Sequence, residues 1–283
     1  MSINKIYKFA RKKKLVRKIL TFLTISLIFI SCKKEEGCTD PLALNYNSQA
    51  ILEDGSCTYA PTPISSLDIH FSQTVNGEPL IMDSMIYINQ SNINYSIQTV
   101  RYLISNITLH TNDETNTLID NVHFVDVSID STLKISIPQI ANNDYTSISF
   151  TMGLPSEQNF TDLFLNENFF PSFAWPEFLG GGYHYMQLEG DFNTVFNGYT
   201  THTGGTFGID YSFNKNFPIS LNPSNGLIGK DIYINMEITN WYQNPEIFNL
   251  TSAGIMGDTA SQNILQANGI EDVFSVFMEE IID

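Results

Sequence analysis

Basic residues are scarce in this 283-residue chain once its first stretch is passed. Eight of its 14 Lys and Arg (Lys5, Lys8, Arg11, Lys12, Lys13, Lys14, Arg17 and Lys18) precede residue 31, and only six follow. Against those six stand all 30 Asp and Glu, so the part beyond Ser31 carries a formal net charge of −24. Such a surface repels phosphate backbones, which excludes nucleic acid as a partner. It suits solubility outside a cell and attracts cations. Catalytic signatures are missing too: there is no G-x-S-x-G, no H-E-x-x-H and no phosphate loop with its Lys. Nothing nominates a nucleophile or a base, so the chain reads as a non-enzyme. No long heptad and no βαβ alternation are present. The longest apolar run, Ile19–Ile30, is 12 residues, short of the ~20 that a transmembrane helix needs.

That run follows a basic segment with no acidic residue and stops at Ser31-Cys32. A basic n-region and a short apolar h-region build a secretory signal. The small residue before Cys32 resembles a lipobox. Phe29 departs from the strict enterobacterial pattern and is similar to the looser version of Bacteroidetes. Lys34-Glu35-Glu36 resembles the signal that sends lipoproteins of those bacteria to the outer face of the outer membrane. The expectation is a signal peptide over 1–31, a tether over 32–36 and a lipid on Cys32. The product would be anchored in the outer membrane, facing the cell surface.

Three cysteines are present. With Cys32 acylated, Cys38 and Cys57 remain as an even pair, and an oxidising compartment implies one disulfide. Residues 37–60 form a small unit around them. It resembles a short motif of bacterial surface proteins, with Cys-x-Asp at its start and Asp-Gly-Ser-Cys at its end. About twenty residues cannot bury a core unaided, so a covalent staple is sensible. Asp40, Asn45, Asn47 and Asp54 offer hard oxygen ligands for calcium. The same residue types form turns for local reasons, and both readings stand. A Pro/Ser linker over 61–66 follows, and then one domain over 67–283.

Strand patterns dominate that domain. Leu67–Phe71, Tyr95–Ile97, Ile104–Leu109, His123–Val127, Leu133–Ile137, Ile148–Met152, Tyr183–Leu188, Phe207–Tyr211 and Asp231–Ile238 show short period-2 alternation or β-branched and aromatic filling. Helical signal is thin, within Gln158–Asn166 and Ser261–Ala267. The reading is an all-β, single sandwich-like domain with few short helices.

The segment Phe173-Ala174-Trp175-Pro176-Glu177-Phe178-Leu179-Gly180-Gly181-Gly182-Tyr183-His184-Tyr185, with Thr201-His202-Thr203-Gly204-Gly205, resembles the MbnP family of methanobactin-associated periplasmic copper-binding proteins. Val75–Leu80, Val100–Leu109 and Ile148–Pro155 are similar to further segments of that family, in the same order. The resemblance implies copper held by His side chains and by a tryptophan oxidised to kynurenine, with a di-haem peroxidase as partner. Carried onto this chain, the metal candidates are His184, His202 and His70, and the modified residue is Trp175. Neutral imidazole suits copper. Set against this is an interaction or adhesion module that binds an envelope protein or a glycan.

Overall fold

Alternation along the first long strand turns Leu67, Ile69, Phe71 and Val75 into the core and leaves Asp68, His70, Ser72 and Thr74 half-buried on the other face. That pattern, repeated, builds the domain. In the computed structural model the described residues are 35–58, 64–141, 143–170, 172–194, 197–221 and 230–280. Residues 1–31, expected to be a signal peptide, and Cys32 lie outside them. The chain divides into two units, Met1–Pro61 and Thr62–Asp283.

Strands among the described residues are β1 (Ile64–Val75), β2 (Glu78–Pro79), β3 (Tyr87–Ile88), β4 (Asn94–Tyr95), β5 (Thr99–Thr111), β6 (Asn116–Asp126), β7 (Lys134–Ala141), β8 (Tyr145–Met152), β9 (His184–Asp191), β10 (Gly198–Gly204), β11 (Phe213–Leu221), β12 (Lys230–Glu237) and β13 (Phe274–Glu280). One five-stranded sheet runs β13-β12-β1-β2, with β7 also on β1. Its β1–β12 pair is parallel. The six-stranded sheet runs β10-β9-β5-β8-β11, with β6 also on β5, and all its pairs are antiparallel. The inner residues of both sheets, among them Ile69, Phe71, Ile104, Phe150, Ile232 and Ile234, share one hydrophobic core. Each such side chain, fully buried, contributes roughly 1.5–3 kcal/mol. The all-β sandwich expected from the alternation is therefore what forms. β1 begins at Ile64, inside the segment assigned to the linker.

Two local expectations change. Gln158–Asn166 forms turns and not a helix. Asp162 sits at φ 65°, which no helix interior holds. The aromatics around it are drawn into a second core: Phe169, Phe173, Tyr183, Tyr185 and Leu103, with Phe164 and Phe170 packed against them. This layer covers the outer face of the six-stranded sheet. Phe207–Tyr211 is a turn and not a strand, because Phe207 (φ 52°) and Gly208 (φ 80°) are both left-handed and Thr206 bridges to Ile209. The C-terminal helix is present as α1 (Thr259–Asn268), capped by the Asp258 side chain, which accepts from Ala260 N.

In the smaller unit Cys38 and Cys57 are joined, as expected. Asp40, Asn47 and Asp54 each accept a hydrogen bond from the backbone N–H two residues on, at 2.9, 3.0 and 2.9 Å. Asn45 accepts from Thr58 N at 2.8 Å and donates to the Ser56 carbonyl at 2.6 Å. The turn-forming reading of these four residues is the one this geometry fits. The metal-capable grouping found here among the described residues is Cys38, Glu53 and Cys57, and its two sulfurs are taken by the disulfide, so nothing supports calcium.

Candidate metal centre

The second core holds the site. Ala174 bridges to Tyr183, with Trp175 N donating to the Gly182 carbonyl at 2.8 Å and His184 N to the Phe173 carbonyl at 2.8 Å. Pro176–Gly182 closes this pair as a tight turn. Gly182 sits at φ 84°, and a Cβ there would lie 2.3 Å from Asn159 Oδ1, the atom that accepts from Tyr183 N at 2.8 Å. The three glycines form a constrained turn that brings Trp175 back onto His184.

His184, at the start of β9, is 6% exposed. Its ring centroid lies 4.8 Å from that of Trp175 and 5.0 Å from that of His202 on β10. His202 reaches it because the β9–β10 register is irregular between Thr203 and Gly204. Each ring has one nitrogen occupied. His184 Nδ1 faces the Phe173 carbonyl at 3.1 Å, and His202 Nε2 faces Glu189 Oε1 at 2.7 Å. A carbonyl or a carboxylate only accepts, so these nitrogens carry the protons. The lone pairs then reside on His184 Nε2 and His202 Nδ1. A second ring nitrogen held by an acceptor is the usual support for a metal-ligating histidine.

Electrostatics agree. Desolvation pushes His184 down to about 4, with the neighbouring His202 acting in the same direction. His184 is therefore neutral at pH 7 and free of a competing proton. The bond from His202 holds the Glu189 carboxyl below its usual range, so Glu189 stays an acceptor.

Trp175 is 2% exposed, and its Nε1–H is buried without a hydrogen-bond partner among the described residues. The indole lies against Gly204, where a Cβ would come within 2.6 Å of Trp175 Cε3. Gln262 of α1 fixes that stretch of backbone. Its Nε2 donates to the His202 carbonyl at 2.8 Å, and its Oε1 accepts from Gly204 N at 3.3 Å. Two adjacent imidazoles, one of them buried and neutral, beside an unsatisfied buried indole fit a site for copper.

The structure thus brings together His184, His202 and Trp175. It does not bring His70 to them. His70 lies on β1 of the other sheet, where its Nε2 is 3.1 Å from Asp231 Oδ2. Glu189 and Gln262 were not singled out by sequence reasoning. Glu189 left a faint signal, as one of two carboxylates in the run His184–Asp191; Gln262 left none.

The MbnP family matches residues 64–257. Among solved structures, MbnP from Methylosinus trichosporium aligns with a TM-score of 0.53 at 11% identity, covering 76% of this chain and 99% of that one. At that identity the likeness is one of fold. No curated protein matches the sequence.

Proposed function

Because the chain belongs to the MbnP family, whose association is with copper, we propose that it binds copper through His184 and His202 and is not itself an enzyme. The observation that carries this is the paired orientation of the two rings, each with one nitrogen anchored and the other left as a lone pair. Copper titration of the metal-free chain tests it. Uptake should be stoichiometric and lost in both His184→Ala and His202→Ala. No uptake under either aerobic or anaerobic conditions sinks the reading.

The same reading assigns Trp175 as the residue converted to kynurenine by a di-haem peroxidase. Its indole is against His184 and its N–H has no acceptor. Phe178 and Phe207, 80% and 59% exposed, flank the Trp175 turn and would suit a partner's docking. Mass spectrometry of protein from its native envelope would find one oxygen gained and one carbon lost at Trp175. An unmodified peptide in copper-loaded protein removes this part alone. A lipid on Cys32 and a surface position complete the proposal. Protease treatment of intact cells should then release the domain, and protection of the chain would refute the outward placement.

A further inference from the structure

On the outer face of the five-stranded sheet, Asp68, His70 and Asp231 each bring one ligand-capable atom within 4.8 Å of the other two. Two strands supply them, β1 for Asp68 and His70 and β12 for Asp231. The parallel register Ile69↔Ile232 places Asp68 beside Asp231, and His70 pairs with Tyr233. Across the next pair Asp231 faces Glu279 of β13. Three carboxylates therefore stand in a row over β1, β12 and β13. Like charges directly opposed across strands are destabilising. Among the described residues one cation is ion-paired to this row: Lys134 Nζ, 2.9 Å from Asp68 Oδ2 and 44% exposed.

The imidazole is held in place independently of the carboxylates. His70 stacks on Tyr233 at 4.5 Å, and Tyr233 stacks on Phe277 at 5.1 Å, with interplanar angles of 12° and 7°. A three-ring stack across three strands thus fixes the orientation of His70 toward the carboxylate row. Side-chain exposure is 26% for His70, 21% for Asp231 and 30% for Asp68, so a small ion can enter from solvent while the donors remain partly shielded.

We propose that Asp68, His70 and Asp231 form a second cation site, for a divalent first-row metal ion of the zinc type. One imidazole and two carboxylates match such an ion in donor type and in charge, whereas calcium and magnesium take oxygen alone. The three donors approach from the sheet side only, so the remaining coordination positions belong to water. The ion would take the place of the direct contact between His70 Nε2 and Asp231 Oδ2, which are 3.1 Å apart. Lys134 is the internal competitor. The site shares no residue with the proposed copper pair and does not depend on it.

The test uses the detergent-solubilised full chain carrying His184→Ala and His202→Ala, so that the copper pair cannot contribute. Zn(II) alone is titrated by calorimetry, and imidazole nitrogen resonances are followed by NMR. One Zn(II) should bind, and His70 should be the histidine whose signals move. Adding His70→Ala or Asp231→Asn should weaken binding at least about tenfold, with thermal unfolding of the metal-free variants showing that they remain folded. Lys134→Ala should tighten it. Absence of Zn(II) binding, affinity unchanged in both His70→Ala and Asp231→Asn, or no tightening in Lys134→Ala overturns the proposal. None of these outcomes bears on copper at His184 and His202.

Discussion

Glu189→Gln is the sharpest test of the proposed copper centre, because it changes a charge without changing a shape. Glu189 Oε1 accepts from His202 Nε2 at 2.7 Å. That bond fixes the tautomer that leaves Nδ1 with its lone pair. A glutamine can still accept through its carbonyl, but the bond becomes neutral, and the amide can also rotate to offer a donor. Rotation would reverse the tautomer and put a proton on Nδ1. A hydrogen bond to a charged group contributes ~1.5–3 kcal/mol and a neutral one ~0.5–1.5. Glu189 is 35% exposed at its side chain, so screening favours the low end of that difference, about 1 kcal/mol, which is about fivefold in affinity. Glu189→Ala removes the acceptor outright and should cost more, ~10–100-fold. Competition with a chromophoric copper chelator at fixed ionic strength reads both. Glu189→Gln within twofold of the native affinity refutes the tautomer argument.

Three further outcomes follow from the same geometry. Gly204→Ala places a Cβ 2.6 Å from Trp175 Cε3, so it should cost ~1–3 kcal/mol of stability by overpacking and weaken copper binding; an unchanged melting temperature refutes the packing described. In metal-free protein the unfolded chain protonates His184 near 6.5, whereas the folded site resists until about 4. Stability from this group is complete above pH 6.5 and is lost as pH falls toward 4, by about 3 kcal/mol, and denaturant titrations of His184→Asn should show a correspondingly flatter profile across that window. Replacing Cys38 and Cys57 by serine removes about 3 kcal/mol of loop-closure restraint from the small unit; limited proteolysis should then cut within residues 37–58 while copper titration is unaffected.

The strands that pattern reasoning found are those whose alternation is sharp, such as Ile104–Leu109 and Asp231–Ile238. β11 escaped it because its outer positions are Asn214, Asn216, Pro218 and Ser220, tolerable on an edge strand and unlike a strand to the eye. β13 escaped because it ends in acidic residues. The site divides in the same way. His184 and His202 could be named from their sequence surroundings, but Glu189 joins them through the β9–β10 register, which no local pattern encodes. His70 could be named as a metal candidate, yet not assigned to a sheet. Its neighbour Asp231 is 161 positions away, across a parallel pairing that appears only when β12 returns beside β1.

That division also separates the two proposed cation sites within one acidic chain. A net charge of −24 beyond residue 31 concentrates all cations near the surface and distinguishes none of them. Discrimination must come from the donors. Facing the layer over the six-stranded sheet, His184 is buried and neutral, with His202 against it. Such a pair offers nitrogen without negative charge, which favours a borderline or soft ion over calcium, magnesium or manganese, whose preference is for oxygen. On the outer face of the other sheet, Asp68 and Asp231 put two carboxylates beside one imidazole, half-exposed to water. There the charge of the ion matters as much as its softness. A copper ion in its singly charged state gains little from those carboxylates, while a dication gains from both. Oxidation state, and not copper as an element, is therefore the variable that should partition the metal between the two faces. Titration with Cu(I) should fill the His184–His202 pair alone, and added Zn(II) should leave that copper in place.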